Sequence, residues 1–430
     1  MSAQFLFLIF AGFFGLFSVA NANMTWSTPV TVYSQMAQSP QQAKIALHPT
    51  SSAAAIVWKT EDNGAYIIQA SYFNGTTWAA PTNLGTSSVL PRIEVGISST
   101  GAAVALWDQF IGGTLSLNAA TYSNSSWSSA TELANLGTSY FASFPTLSVN
   151  GSGNAAANWQ DAASEIKAIT YLASSNSWSS TYGLSEAGLT VSTEVPSPLQ
   201  LKDDNTITTI LFTPTAIWSD TTQALSPNGV PDNTRLLPYC TVAAEPIFKM
   251  DQNNGHAAFI FQCPNNKFII FGTNYFESNV QDSWHFTIPS VPNPRVNVAS
   301  FDLTVNPNSS SANAVWELGN GYVQVNNFNG VEWKIAATLS TNGSSPVVAT
   351  NPTNNHVVAV WVDLINGGSD NTIKLSEFNG TTWSNPTSIS STSSTLGSPR
   401  IEINSQGFGI ITWHRLVGSD DIIEAVTSTM

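Results

Sequence analysis

Charge is scarce in this sequence. Only 9% of its 430 residues are Asp, Glu, Lys or Arg, and the 13 Lys and Arg face 27 Asp and Glu, a formal net charge of -14. An acidic chain of this kind repels phosphate backbones and anionic lipid, so no nucleic-acid partner is expected. Cysteine is scarcer still, with Cys240 and Cys263 alone. That excludes a disulfide-rich scaffold, and an oxidising compartment would let these two pair. The G-x-S-x-G elbow, the P-loop, H-E-x-x-H and CxxC are all missing. Beyond the N-terminus no apolar run is long enough to span a bilayer, so no membrane span is expected in the mature chain.

Apolar residues nevertheless make up 42% of the chain, and Ser, Thr and Asn carry most of the polarity. This suits strands and turns better than helices. The first 22 residues contain no charged side chain; an apolar block from Phe5 to Ala20 precedes Ala20-Asn21-Ala22, with small residues where a signal peptidase cuts. Residues 1–22 therefore read as a signal peptide, with an uncleaved anchor as the alternative, and residues 23–430 as one exported domain. Secretion, a cell-surface location or, in a bacterium, the periplasm follows as the expected localisation.

The tryptophans reveal a repeat. Trp26, Trp78, Trp127, Trp178, Trp284, Trp333 and Trp383 recur at multiples of roughly 50 residues. A second series, Trp58, Trp107, Trp159, Trp316, Trp361 and Trp413, lies between them, with Phe212 and Phe261 filling two registers. The phrase FNGTTW at Phe73 to Trp78 returns at Phe378 to Trp383, and LPRIEV at Leu90 to Val95 is echoed by SPRIEI at Ser398 to Ile403. Each unit resolves into four short alternating runs separated by Gly, Asn, Ser and Pro, hence four antiparallel strands. In the second unit these are Pro91 to Ile97, Ala102 to Gln109, Leu115 to Tyr122 and Trp127 to Leu133.

A four-stranded sheet repeated radially is a propeller blade. The expected fold is therefore all-β, a β-propeller of about eight four-stranded blades, with seven as the alternative count. The final unit ends after its third strand and the mature chain begins with an isolated fourth, so the N-terminal strand is expected to pair with the C-terminal blade and close the ring. Units four and five are degenerate, and Ser219 to Arg235 reads as a long loop. The Trp residues are expected to be core, each burying about 150 to 250 Å² between units.

The Gly-x-x-Trp hairpins at Gly75, Gly330 and Gly380 resemble those of the Asp-box propellers found in sialidases, without the box's leading Ser and Asp. G-x-A-x-A-x-W followed by an acid, at Gly101 to Asp108, is similar to repeats of secreted bacterial propeller proteins. The sialidase resemblance implies a site of three arginines, a Tyr with a Glu partner and an Asp. The Phe-Arg-Ile-Pro signature of that site is absent here, so no catalytic role is transferred and none is assigned.

The same resemblance implies that one face carries the loops that enter the first strand and leave the second. That face would gather Arg92, Asp108, Asp161, Glu317, Asp363, Arg400, His414 and Arg415 as candidate ligand-binding residues. Ordinary solvated strand ends are the alternative. A Cys240–Cys263 disulfide is expected because both residues fall at strand ends on one side. His48, His256 and His356 fall at turns of different units, and Asp203-Asp204-Asn205 could touch Ca²⁺ or make an ordinary turn; neither metal nor cofactor is expected. The functional expectation is an exported, non-catalytic binding protein for a glycan or protein ligand. A sialidase-like glycoside hydrolase and a structural surface protein are the alternatives.

Overall fold

The computed structural model of the chain describes residues 24–36, 39–138, 143–184, 196–212, 216–223, 234–238, 247–250, 257–263, 267–273, 298–306, 309, 311–329, 332–418 and 420–429. His256, Cys240 and segment 1–22, expected to be a signal peptide, lie outside these residues. No helix among the described residues is long and apolar enough to cross a membrane.

The fold is all-β. Among the described residues, antiparallel strands form eight separate sheets, of which seven have four or five strands and resemble propeller blades. The first sheet comprises Ser39–Leu47, Ala54–Asp62, Ala65–Phe73 and Thr82–Ser87. The second comprises Ile93–Ile97, Ala103–Ile111 and Thr114–Ser123, with Ser126–Trp127 and Thr131–Gly137 beside the last. The third begins with Thr146–Val149 and the fourth with Leu199–Leu201. The fifth has three strands, Ile247–Met250, Ala257–Cys263 and Lys267–Thr273. The sixth opens with Val298–Val305 and the seventh with Gly343–Thr350. The eighth holds Arg400–Ile403, Gly409–Val417 and Asp420–Thr429.

Adjacent sheets meet through their first strands. Ser39–Leu47 lies against both Ile93–Ile97 and Arg400–Ile403, and Thr146–Val149 lies against both Ile93–Ile97 and Leu199–Leu201. Between the sheets sit apolar layers, with buried polar residues such as Gln69, Asn118, Asn158 and Asn326 among them. Val57, Ile68, Ala105 and Trp107 form one such layer, and Val315, Val323, Val348 and Trp361 another. The second strands are buried on both faces, so alternate residues enter the layers on either side: Trp107 packs in one and Leu106 in the next.

Three expectations about the fold are corrected. Uniform four-stranded blades are not what forms, since the described sheets have three, four or five strands. The physical reason for the fifth strand is a break in the fourth. In the second sheet Trp127 pairs with Tyr122, the ladder lapses, and Thr131 resumes pairing on the same neighbour at Ala119. The third sheet breaks in the same way after Trp178. In the eighth, Thr25–Trp26 and Val30–Met36 both pair with Asp420–Thr429, on either side of Pro29, which has no N–H to give the ladder.

Closure is the second correction. No sheet closes into a barrel, although the expected pairing of the N-terminal segment with the C-terminal sheet does form, Thr25–Trp26 and Val30–Met36 both lying along Asp420–Thr429. Third, the loop expected from Ser219 to Arg235 is partly strand: Ala216–Gln223 and Thr234–Pro238 pair within the fourth sheet. The β-branched and aromatic residues flanking that stretch, Ile217 and Trp218, outweigh its turn-rich middle.

The disulfide expectation is corrected as well. No disulfide is present among the described residues; Cys263 ends a strand and pairs across the ladder with Lys267, while Cys240 lies outside them. A bridge demands Cα atoms within about 7 Å and facing Cβ vectors, which a shared sheet end does not provide by itself.

Candidate functional site

The site grows out of the second strands. Trp58, Trp107, Trp159, Trp316, Trp361 and Trp413 are each no more than 2% exposed. Five of the indoles give their N–H to a local acceptor: Trp58 to Gln69, Trp107 to Gln109, Trp316 to Gln324, Trp361 to Asp363 and Trp413 to Glu424, at 2.9–3.2 Å. These rings are core, held between sheets.

In three of these units the residue that follows the Trp straps its sheet to the next. Lys59 Nζ donates to the Pro91 carbonyl at 2.6 Å. Asp108 accepts from the Arg92 backbone N–H at 2.6 Å and from Ser143 Oγ, at the entrance of the third sheet, at 2.7 Å. Glu317 accepts from Ser300 Oγ at 2.8 Å and from the Ser345 N–H of the seventh sheet at 3.0 Å. A buried acceptor left without these donors would cost about 1–3 kcal/mol or more, so the straps fix how the strand ends are spaced.

Among the candidate residues, Arg92, Arg400 and His414 line one cavity of about 460 Å³. Asp108 sits directly behind it, 1% exposed and 3.6 Å from Arg92 Nη1. The other four are elsewhere engaged. Asp161 caps its own turn through the Ala163 and Glu165 N–H groups at 2.9 and 3.0 Å. Asp363 accepts from Ser340 Oγ and pairs with Lys374 at 2.6 Å. Arg415 binds Glu424 through two hydrogen bonds, 2.8 Å from Nε and 2.5 Å from Nη2. Glu317 is the strap already described.

The cavity is built from the ends of the first, second, third and eighth sheets, with Pro196 at the entrance to the fourth. Its lining carries Lys44, Lys59, Arg92 and Arg400 against a single carboxylate, Glu94, which Lys44 holds at 2.8 Å. In a chain with an acid excess this is a local reversal of sign. The Arg92 guanidinium lies over the Phe144 ring, 4.4 Å from its centroid, and its Nη1 is buried without a hydrogen-bond partner. Thr412 is 1% exposed, and its Oγ1 is likewise unpartnered. Buried polar atoms are nearly always satisfied, so two orphans on one cavity are informative.

Burial shapes the ionisation of these groups. It lowers the Lys59 ammonium to about 8, against the opposing pull of Asp108. It also raises the Asp108 carboxyl above the usual range, although hydrogen bonds from Arg92 and Ser143 work the other way. His414 is lowered by burial, which Asp421 partly offsets. Its ring packs so closely on Gly397 that a Cβ at that position would collide with it.

Lys59, Phe144 and Thr412 were not among the residues singled out from the sequence. Lys59 carried a signal, because it stands directly after a second-series Trp, as Asp108 does. Phe144 and Thr412 carried none. Of the histidines expected at turns, His48 holds its turn: its Nδ1 accepts from the Thr50 and Ser51 N–H groups at 3.1 and 3.0 Å. Among the described residues no group of three or more potential metal ligands is found.

No family model matches the chain, and no curated protein matches it. Solved structures do resemble it, remotely. A protein of unknown function from Dyadobacter fermentans shares 8% identity over 95% of this chain and 99% of its own, with a TM-score of 0.46. AofleA from Arthrobotrys oligospora shares 9% over 85% and 89%, with a TM-score of 0.40. The NanB sialidase of Streptococcus pneumoniae, as a point mutant, shares 7% over 94% and 98%, with a TM-score of 0.42. No family follows from these. They are similarities of fold at 7–12% identity and say nothing about what this chain binds.

Proposed function

We propose that the protein is an exported, non-catalytic binding module that presents the cavity beside Arg92 and Arg400 to a glycan. The observation that carries this reading is the convergence on one cavity of two arginines from units far apart in sequence, together with Lys44 and Lys59. Export rests on the N-terminal segment 1–22, read as a signal peptide. Arg92 has two anchors, Asp108 beside its Nη1 and the Phe144 ring beneath it, so its guanidinium is held in place before a ligand arrives. Preorganisation of this kind reduces the ordering cost of binding.

Binding is favoured over hydrolysis by the make-up of the lining. Sialidase-type chemistry needs a carboxylate acid and a nucleophile with its partner. Among the described residues this lining holds two arginines, no tyrosine, and one carboxylate already paired with a lysine. The test is a glycan array run alongside a fluorogenic sialoside assay. Binding without turnover is expected, and Arg92→Ala with Arg400→Ala should abolish it while leaving the melting temperature within a few degrees. Turnover would make the protein a hydrolase. Silence in both assays would make it a structural surface protein.

A further inference from the structure

The N-terminal segment is held from two sides. Its backbone pairs with the eighth sheet along Asp420–Thr429. It is also tied to the seventh sheet: Glu377, on the strand Thr372–Phe378 and 3% exposed, accepts from the Met24 backbone N–H at 3.0 Å and from the Trp26 indole N–H at 3.2 Å. Gly409 leaves the room this needs, since a Cβ there would stand 2.8 Å from Trp26 Cη2 and 3.1 Å from Met24 Cε. One buried carboxylate therefore fastens the segment across the junction of two sheets.

On the same face as that carboxylate stands a histidine whose ring binds nothing. His356 is 0% exposed, and neither Nδ1 nor Nε2 has a hydrogen-bond partner. Its backbone is pinned, with the carbonyl accepting from the Asn351 N–H at 2.6 Å and the N–H donating to Asn354 Oδ1 at 2.9 Å. Val358 pairs with Glu377, so His356, two residues earlier, shares a face of the sheet with it. This is the face that packs with Trp26 between the seventh and eighth sheets. Among the described residues Glu377 is the ionisable group whose charge acts on His356; burial outweighs that pull and holds the imidazole below its ordinary 6.5.

We propose that His356 and Glu377 form an acid-operated latch, in which a proton on the imidazole draws the Glu377 carboxylate off Met24 and Trp26 and frees the N-terminal segment. A neutral ring leaves Glu377 to its two donors. A buried imidazolium carries two N–H donors and a charge that must be paired, and Glu377 is the carboxylate that faces it. The direction follows from linkage. A state with the ring solvated takes the proton first, so the stability of the latched state is complete above 6.5 and is lost as the pH falls from there toward the lowered folded value. The latch stands apart from the binding reading above.

Hydrogen exchange read by mass spectrometry, corrected for intrinsic rates, tests it at about pH 7.5 and about pH 5, on either side of an ordinary histidine. Protection of residues 25–36 should fall roughly tenfold at the lower pH, while that of Ala103–Ile111 in the second sheet holds. His356→Leu should keep the N-terminal protection at both pH values, and His356→Gln serves if that variant does not fold. Glu377→Gln should lower the protection already at the higher pH and leave little further fall. Unchanged protection in the wild type at the lower pH would overturn the latch, as would an equal fall in the histidine variant or a fall shared by every sheet. Wild-type protection in Glu377→Gln at the higher pH would show that the carboxylate does not hold the segment, and would overturn it too.

Discussion

Asp108 and Glu317 occupy the same place in two units, one residue after a buried tryptophan, yet their neighbourhoods differ. Glu317 finds Ser300 and Ser345, two neutral donors, and the contact between the sixth and seventh sheets is complete. Asp108 finds Ser143 and the Arg92 backbone, and the Arg92 side chain lies beside it with Nη1 3.6 Å from the carboxylate. The same register therefore makes a finished strap in one region and a cavity wall in the other. What changes the outcome is the residue opposite the acid on the first strand of its own sheet: an arginine, Arg92, in the second, and Ser300 in the sixth.

The tryptophans test whether the two regions share one core. Trp107→Ala and Trp316→Ala should each cost about 3–5 kcal/mol in urea unfolding, since both rings are buried to 1% or less and the neighbouring strands cannot fill the space. A cost confined to one of them would mean that the repeat is structurally uneven.

Removing the acids should separate the regions. Asp108→Ala leaves the Arg92–Lys59 corner without its buried counter-charge and should cost about 3–5 kcal/mol. Glu317→Ala, which strands only neutral donors at a half-buried position, should cost about 1–3 kcal/mol. Equal losses would show that Arg92 does not depend on Asp108.

The smallest effect is a pH dependence peculiar to the first and second sheets. Lys59 has its folded value lowered from 10.5 to about 8, so above that pH the unfolded chain binds the extra proton. Stability attributable to Lys59 therefore rises with pH, by about 1–2 kcal/mol between pH 8 and pH 9.5. Chemical denaturation at the two pH values, compared with Lys59→Met, reads this out, and an identical slope in both proteins would contradict it. Buried tyrosines, among them Tyr33 and Tyr171, have raised values and oppose the trend only when the pH approaches their own range.

Much of the architecture was legible in the chain. The spacing of the second Trp series marked the second strands, and the P-R-I-E phrases marked two first strands whose arginines do line one cavity. The period could not show that the fourth strand breaks after Trp127, because the break depends on ladder pairing with a neighbour. Nor could it tell His414, on the cavity wall, from Arg415, turned toward Glu424, since adjacent residues on a strand point to opposite faces and the sequence alone did not say which face was which.

By itself the sequence determined the all-β class, the length of the unit and the identity of the core aromatics, because these follow from local alternation and from recurrence along the chain. Only the tertiary structure decided which polar residues are straps and which are left open. Asp161, Asp363 and Arg415 looked like Arg92 in the one-dimensional pattern, yet each found an acceptor or donor nearby. Arg92 and Thr412 did not satisfy all of theirs, because the second and eighth sheets stand with the first between them and leave a space that neither side chain closes. Satisfaction of a polar group depends on what is opposite it in space, and that is a property of packed sheets, not of spacing along a chain.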